Sequence, residues 1–154
     1  MSIEKVKEYL KKFGFENRII ELKESSATVL EAAKALGCSS GEIAKSLTFK
    51  VYDRIVMIVV DGEHKIDNAK FKLEFSVKPT MLKFDEVEAE VGHSVGGVCH
   101  FAVNQNVEIY LDESLKLHER VFPACGNSHS AICLTIPELE LLSNFKKWVD
   151  VSKI

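Results

Sequence analysis

Two apolar runs separated by a pair of polar residues set the first limit on this chain. Residues 46–52 and 55–60 are rich in β-branched and aromatic side chains, and Asp53 and Arg54 stand between them. Such a pattern predicts a β-hairpin. Both runs are apolar enough to read as buried strands.

Ile3, Val6, Leu10 and Phe13 recur at helical spacing, with Ser2 as N-cap and Gly14 as the stop. Thr28 caps a second helix over 29–36, which Gly37 ends. Ser39 or Ser40 caps a short turn through Ile43. Further helices are expected over 69–75, over 85–91, and from Pro137, read as a first helical residue, to Leu142. Strands are expected over 18–22, 107–111, 120–124 and 131–135, with 148–151 closing the sheet. Helices and strands alternate irregularly around at least one hairpin, which predicts an α/β fold: a single domain over 1–154 with a mixed, largely antiparallel sheet flanked by helices.

Bulk properties narrow the function. Nothing in the sequence approaches the roughly 18 apolar residues of a membrane span, and the charged start carries no signal-peptide stretch. A cytoplasmic protein without membrane attachment is expected. The net charge of −3 argues against coating nucleic acid by phosphate neutralisation, yet leaves room for recognising a nucleic-acid end. Cys38, Cys99, Cys125 and Cys133 form no C-x-x-C pair, and the five histidines have no metal spacing. Reduced thiols, no metal and no cofactor are the expectation.

Three places can carry chemistry. Lys45 lies where a short helical turn gives way to a buried strand, so its ammonium can project into a cleft; a surface lysine with a buried stem has the same signature. Gly96 and Gly97, in the loop 92–100, let backbone approach a ligand, and successive N–H groups there can receive an anion or an oxyanion. Two adjacent glycines also make an ordinary tight turn. Small and polar residues over 124–130 separate two strands, which turn chemistry alone explains. There is no G-x-S-x-G elbow. Cys99 beside His100 invites a cysteine nucleophile, although sequence neighbours rarely point at one another.

In order, these segments resemble the YbaK/ProX/EbsC family, which includes the editing domain inserted in bacterial prolyl-tRNA synthetases. The resemblance is carried by 28–37 with 43–47, then Asp61-Gly62 with 65–68, the glycine loop 92–99, the stretch 110–115, and 124–126 with Ser130. It spans about 28–142. It implies a deacylase acting in trans on mischarged tRNA, most readily tRNA(Pro) carrying Cys or Ala. Lys45 would anchor and polarise the ester. Gly96, Gly97 and Val98 would present backbone groups. The glycine loop would hold the terminal adenosine and the ester, Thr28 and the stretch from Gly126 to Ser130 would shape the amino-acid pocket, and Ser46 would be a further substrate-binding residue. Implied partners are the tRNA acceptor 3′ end and a prolyl-tRNA synthetase that delivers it. A non-catalytic module binding the acceptor end or a synthetase is the alternative. One departure stands out: His100 replaces the proline that commonly ends the glycine loop, and Ala102 stands where glycine is frequent. A softer loop is the expected consequence.

Overall fold

The computed structural model describes residues 2–93 and 97–154. Among them the hairpin is the centre of the molecule. β2 (Ile43–Val51) and β3 (Arg54–Asp61) pair antiparallel from Ala44↔Asp61 to Val51↔Arg54 around Tyr52 and Asp53. Tyr52, at φ +56, turns the corner.

β3 also pairs in parallel with β5 (Val107–Asp112), and β5 in parallel with β9 (Trp148–Val149). On the other side β2 pairs in parallel with β6 (Arg120–Pro123), which pairs antiparallel with β8 (Leu134–Thr135). The six-stranded order is β8-β6-β2-β3-β5-β9. Two short antiparallel ladders lie beside it, joining β1 (Ile19–Glu21) to β7 (Ser130–Ile132) and β4 (Lys65–Ile66) to β10 (Ser152–Lys153). The sheet is mixed, as expected. Antiparallel pairing includes the longest ladder, β2–β3, while three of the five pairings inside the six-stranded sheet are parallel.

β3 is buried from Ile55 to Asp61, because both faces are covered. On one face Ile55, Met57 and Val59 pack with α1 (Ser2–Lys11), α4 (Phe84–Val91) and α5 (Ile136–Ser143) through Val6, Leu10, Val87, Val91, Leu139 and Leu142. On the other face two separate clusters form. Ile43 and Phe122 meet Ala32 and Ala33 of α2 (Val29–Leu36). Phe49, Val56 and Ile58 meet Phe71 and Phe75 of α3 (Asn68–Phe75). Side chains alternate along a strand, so Lys45 shares this face with Ile43 and Phe49 and falls between the two clusters.

Several boundaries differ from the sequence reading. The segment 131–135 is split into β7 and β8, which bond different partners. Of the segment 148–151 only Trp148–Val149 are a strand, β9 on the main sheet, while β10 on β4 begins at Ser152. Thr135 caps α5, so Pro137 is the second helical residue. β2 begins at Ile43, directly after a 3-10 turn over Ser40–Glu42, which puts Lys45 inside the strand. Among the described residues no helix is long and apolar enough to cross a membrane.

Candidate functional site

Strand register creates an opening beside Lys45. Lys50 N–H donates to the Thr80 carbonyl at 2.9 Å, and Leu82 N–H donates to the Thr48 carbonyl at 3.1 Å. Even-numbered residues of β2 therefore turn their peptide groups away from β3, and Ser46 shares that orientation. β6, however, leaves β2 after Ala44↔Pro123. Ser46 thus faces outward between the end of β6 and the segment 80–82. A cavity of about 130 Å³ lies at this break.

The N-terminal end of α2, the β2 backbone and the β6–β7 connection wall the cavity. Of the eight residues singled out from the sequence, Thr28, Lys45, Ser46, Val98 and Ser130 line it. Gly97 and Gly126 do not, although each lies within two residues of one that does, Val98 and Ala124. A Cβ on Gly97 would collide with Asn127 Cα and come within 2.6 Å of its nitrogen, so this close approach requires glycine. Gly126 stands at φ +100, a left-handed conformation that suits glycine. Gly96 lies outside the described residues.

Lys45 is half-buried, and its Nζ donates to the Gly62 carbonyl at 3.3 Å. Burial pushes the ammonium below the ordinary lysine range, with Asp61 opposing that shift. The Asp61-Gly62 turn is itself fixed. Asp61 is 2% exposed and sits 2.5 Å from His118 Nε2, and its N–H donates to Ser114 Oγ. A side chain on Gly62 would collide with the Ser40 carbonyl. Sequence reading singled out the turn but missed His118, because nothing local links it to a residue 57 positions away.

Ser130 is 1% exposed, and its hydroxyl has no hydrogen-bond partner among the described residues. Such a group is normally satisfied; on a cavity wall it is a donor and acceptor held ready for a ligand. Thr28 is already committed, since its Oγ1 caps α2 by accepting from Glu31 N–H at 3.1 Å. Ser26 also lines the cavity and was not anticipated; its N–H bonds the Ser128 carbonyl at 2.6 Å, tying the segment before α2 to the β6–β7 connection.

The cysteine-nucleophile reading does not survive. Burial pushes the Cys99 thiol up to about 12, which removes the reactive thiolate. His100 turns away to α5, where its Nε2 lies 2.8 Å from Ser143 Oγ, whose hydroxyl is committed to the Leu139 carbonyl. Burial pushes the His100 imidazole down to about 3, so it stays neutral. The expected softness at this position is corrected as well: His100 is 1% exposed and pins the loop's end to α5. Ala102 holds φ +53, a left-handed conformation that suits glycine.

The aminoacyl-tRNA editing domain model matches residues 23–142. The chain belongs to that family. It is 45% identical over 154 residues to YwhH of Bacillus subtilis (strain 168), covering 99% of this chain and 98% of that one. It is 31% identical over 90 residues to the proline–tRNA ligase of the same organism, a match covering 58% of this chain and 16% of the ligase. A crystal structure of a candidate trans-editing enzyme for prolyl-tRNA synthetase superposes with a TM-score of 0.88 at 28% identity, over 99% of this chain and 98% of that one. The cavity lies within the matched residues, and the family assignment supports an aminoacyl-tRNA editing function with deacylase activity.

Proposed function

We propose that this chain is a trans-editing deacylase that hydrolyses the ester of mischarged tRNA, with tRNA(Pro) carrying Cys or Ala as substrate. The observation that carries the reading is the meeting of the half-buried Lys45 ammonium with the unpartnered Ser130 hydroxyl on one small cavity. A volume of about 130 Å³ suits a small side chain, and small side chains are those that synthetase pockets separate poorly.

An aminoacyl ester is already activated, so positioning and charge stabilisation supply most of the catalysis. In the proposed reaction water adds to the ester carbonyl and a tetrahedral oxyanion forms. The Lys45 ammonium neutralises it, and the outward-facing Ser46 N–H is the adjacent backbone donor. Collapse breaks the bond to the ribose oxygen, which takes up the proton lost by the water. The products are the free amino acid and tRNA with its terminal ribose hydroxyl restored. Ser130 and Thr28 border the side-chain pocket. The terminal adenosine and the ester are assigned to the glycine loop through Gly97 and Val98, with Gly96 as a further proposed backbone donor, and Gly126 is assigned to the opposing turn. A prolyl-tRNA synthetase that delivers the tRNA fits a chain whose net charge of −3 gives little affinity for phosphate.

The test is deacylation of Cys-, Ala- and Pro-tRNA(Pro). Loss of the Cys or Ala ester with Pro spared supports the reading. No turnover of any ester overturns it and favours a non-catalytic acceptor-end module.

A further inference from the structure

Lys45 borders a second depression, an open groove of about 320 Å³ walled by Leu47, Ile66, Pro79 and Met81, with Lys65 at its rim. We propose that this groove seats the nucleobase next to the terminal adenosine of a single-stranded 3′ end, with a backbone phosphate at Lys65; this rests on the editing reading above.

The groove follows from the same strand. Lys45 and Leu47 point to one face of β2, roughly 7 Å apart along it, so the face passes from the small cavity to the groove through Lys45. One wall is the segment 80–82, bonded to the β2 edge at Thr48 and Lys50. It leaves Met81 56% exposed, a polarizable side chain that adapts to a flat ring. The other wall is β4, held by β10.

Charge points to the occupant. None of the groove's lining side chains is acidic, and two are lysines. Lys65 stands directly opposite Lys153 across the β4–β10 ladder, an arrangement of like charges that destabilises a ladder unless an anion offsets it. Asp67 lies 3.9 Å from Lys153, whereas no carboxylate among the described residues lies within ion-pair distance of Lys65. An apolar slot with a cation at its rim matches a base and its phosphate. On the editing reading the ester sits at Lys45 and the terminal adenosine is assigned to the glycine loop, so the slot beyond Lys45 falls to the preceding nucleotide.

The experiment measures binding of a short, uncharged-with-amino-acid RNA ending in CCA by fluorescence anisotropy. Intact RNA is compared with RNA abasic at the penultimate position, using wild type, Met81→Glu and Lys65→Ala. Met81 and Lys65 are exposed, and circular dichroism checks that both variants fold. The abasic site is expected to weaken wild-type binding about tenfold. Met81→Glu is expected to weaken intact RNA by a similar factor and to abolish the abasic penalty. Lys65→Ala is expected to reduce the slope of log affinity against log salt by about 0.7. An abasic penalty undiminished in Met81→Glu overturns the groove, as does a Met81-dependent penalty found only at the terminal position. Deacylation is assayed separately: turnover without this binding pattern removes the groove alone, and the binding pattern without turnover removes the editing reading alone.

Discussion

Replacing Lys45 with methionine separates function from stability at one position. The side chain keeps its length and apolar stem, and loses its ammonium and the 3.3 Å bond to Gly62. Removing a single oxyanion-stabilising donor typically lowers kcat by 10²–10³, about 2.7–4 kcal/mol. A fall in that range is expected in single-turnover deacylation of Cys- or Ala-tRNA(Pro). Stability should move the other way. A long bond to a carbonyl contributes at most about 1 kcal/mol net, and burial disfavours the charge. Lys45→Met is therefore expected to unfold in urea at the wild-type midpoint or above it. The pH dependence has a definite sign. A lysine whose folded pKa is depressed destabilises the native state at pH below that value, and the penalty fades as pH rises through it toward the ordinary value of about 10.4. Any stability advantage of the methionine variant should thus shrink as alkalinity increases. A loss of activity smaller than tenfold refutes the catalytic role. Destabilisation by more than about 2 kcal/mol would instead make Lys45 a structural residue.

Three further outcomes follow from the geometry. Ser130→Ala removes a buried, unpartnered hydroxyl, so stability should hold or rise by up to about 1 kcal/mol while kcat/KM falls; a large drop in denaturation midpoint would mean that the hydroxyl supports the fold. Gly97→Ala forces a Cβ onto the Asn127 backbone, and should destabilise by about 1–3 kcal/mol and lower kcat/KM, whereas wild-type values of both would show the contact to be dispensable. Ala102→Gly relieves a left-handed φ of +53 and should stabilise by about 1 kcal/mol, raising Tm by about 2–4 °C for a domain of this size; an unchanged or lower Tm contradicts the strain.

Local signals in the sequence were sufficient where physics is local. Thr28 and Gly37 bracket α2 because a hydroxyl cap and a left-handed glycine act within one turn. The β2–β3 hairpin was legible from two apolar runs and a short polar gap, although its first three residues were missed because the preceding 3-10 turn leads straight into the strand. What escaped was long-range. The division of 131–135 depends on β1 and β6, which lie far away in sequence. His100 read as a loosening of the loop because the fixed φ of proline is a local property, whereas the bond to Ser143 reaches 43 residues along the chain. His118 beside Asp61 is of the same kind, a contact that only the assembled sheet creates.

The site's economy follows from where the sheet is interrupted. β2 keeps an unbroken partner in β3, so Lys45 is held by a continuous ladder from Ala44 to Val51. Its other edge is shared by β6 and the segment 80–82, and the outward-facing Ser46 falls between them. A rigid strand with one exposed peptide edge and one half-buried ammonium is already a charge-stabilising device, and an activated ester requires little more. Selectivity can then reside in the walls rather than in the strand. Those walls come from the start of α2 and from the β6–β7 connection, where side chains can be exchanged without disturbing the β2–β3 ladder. Substitutions there should change which amino acid is removed while leaving the ammonium in place.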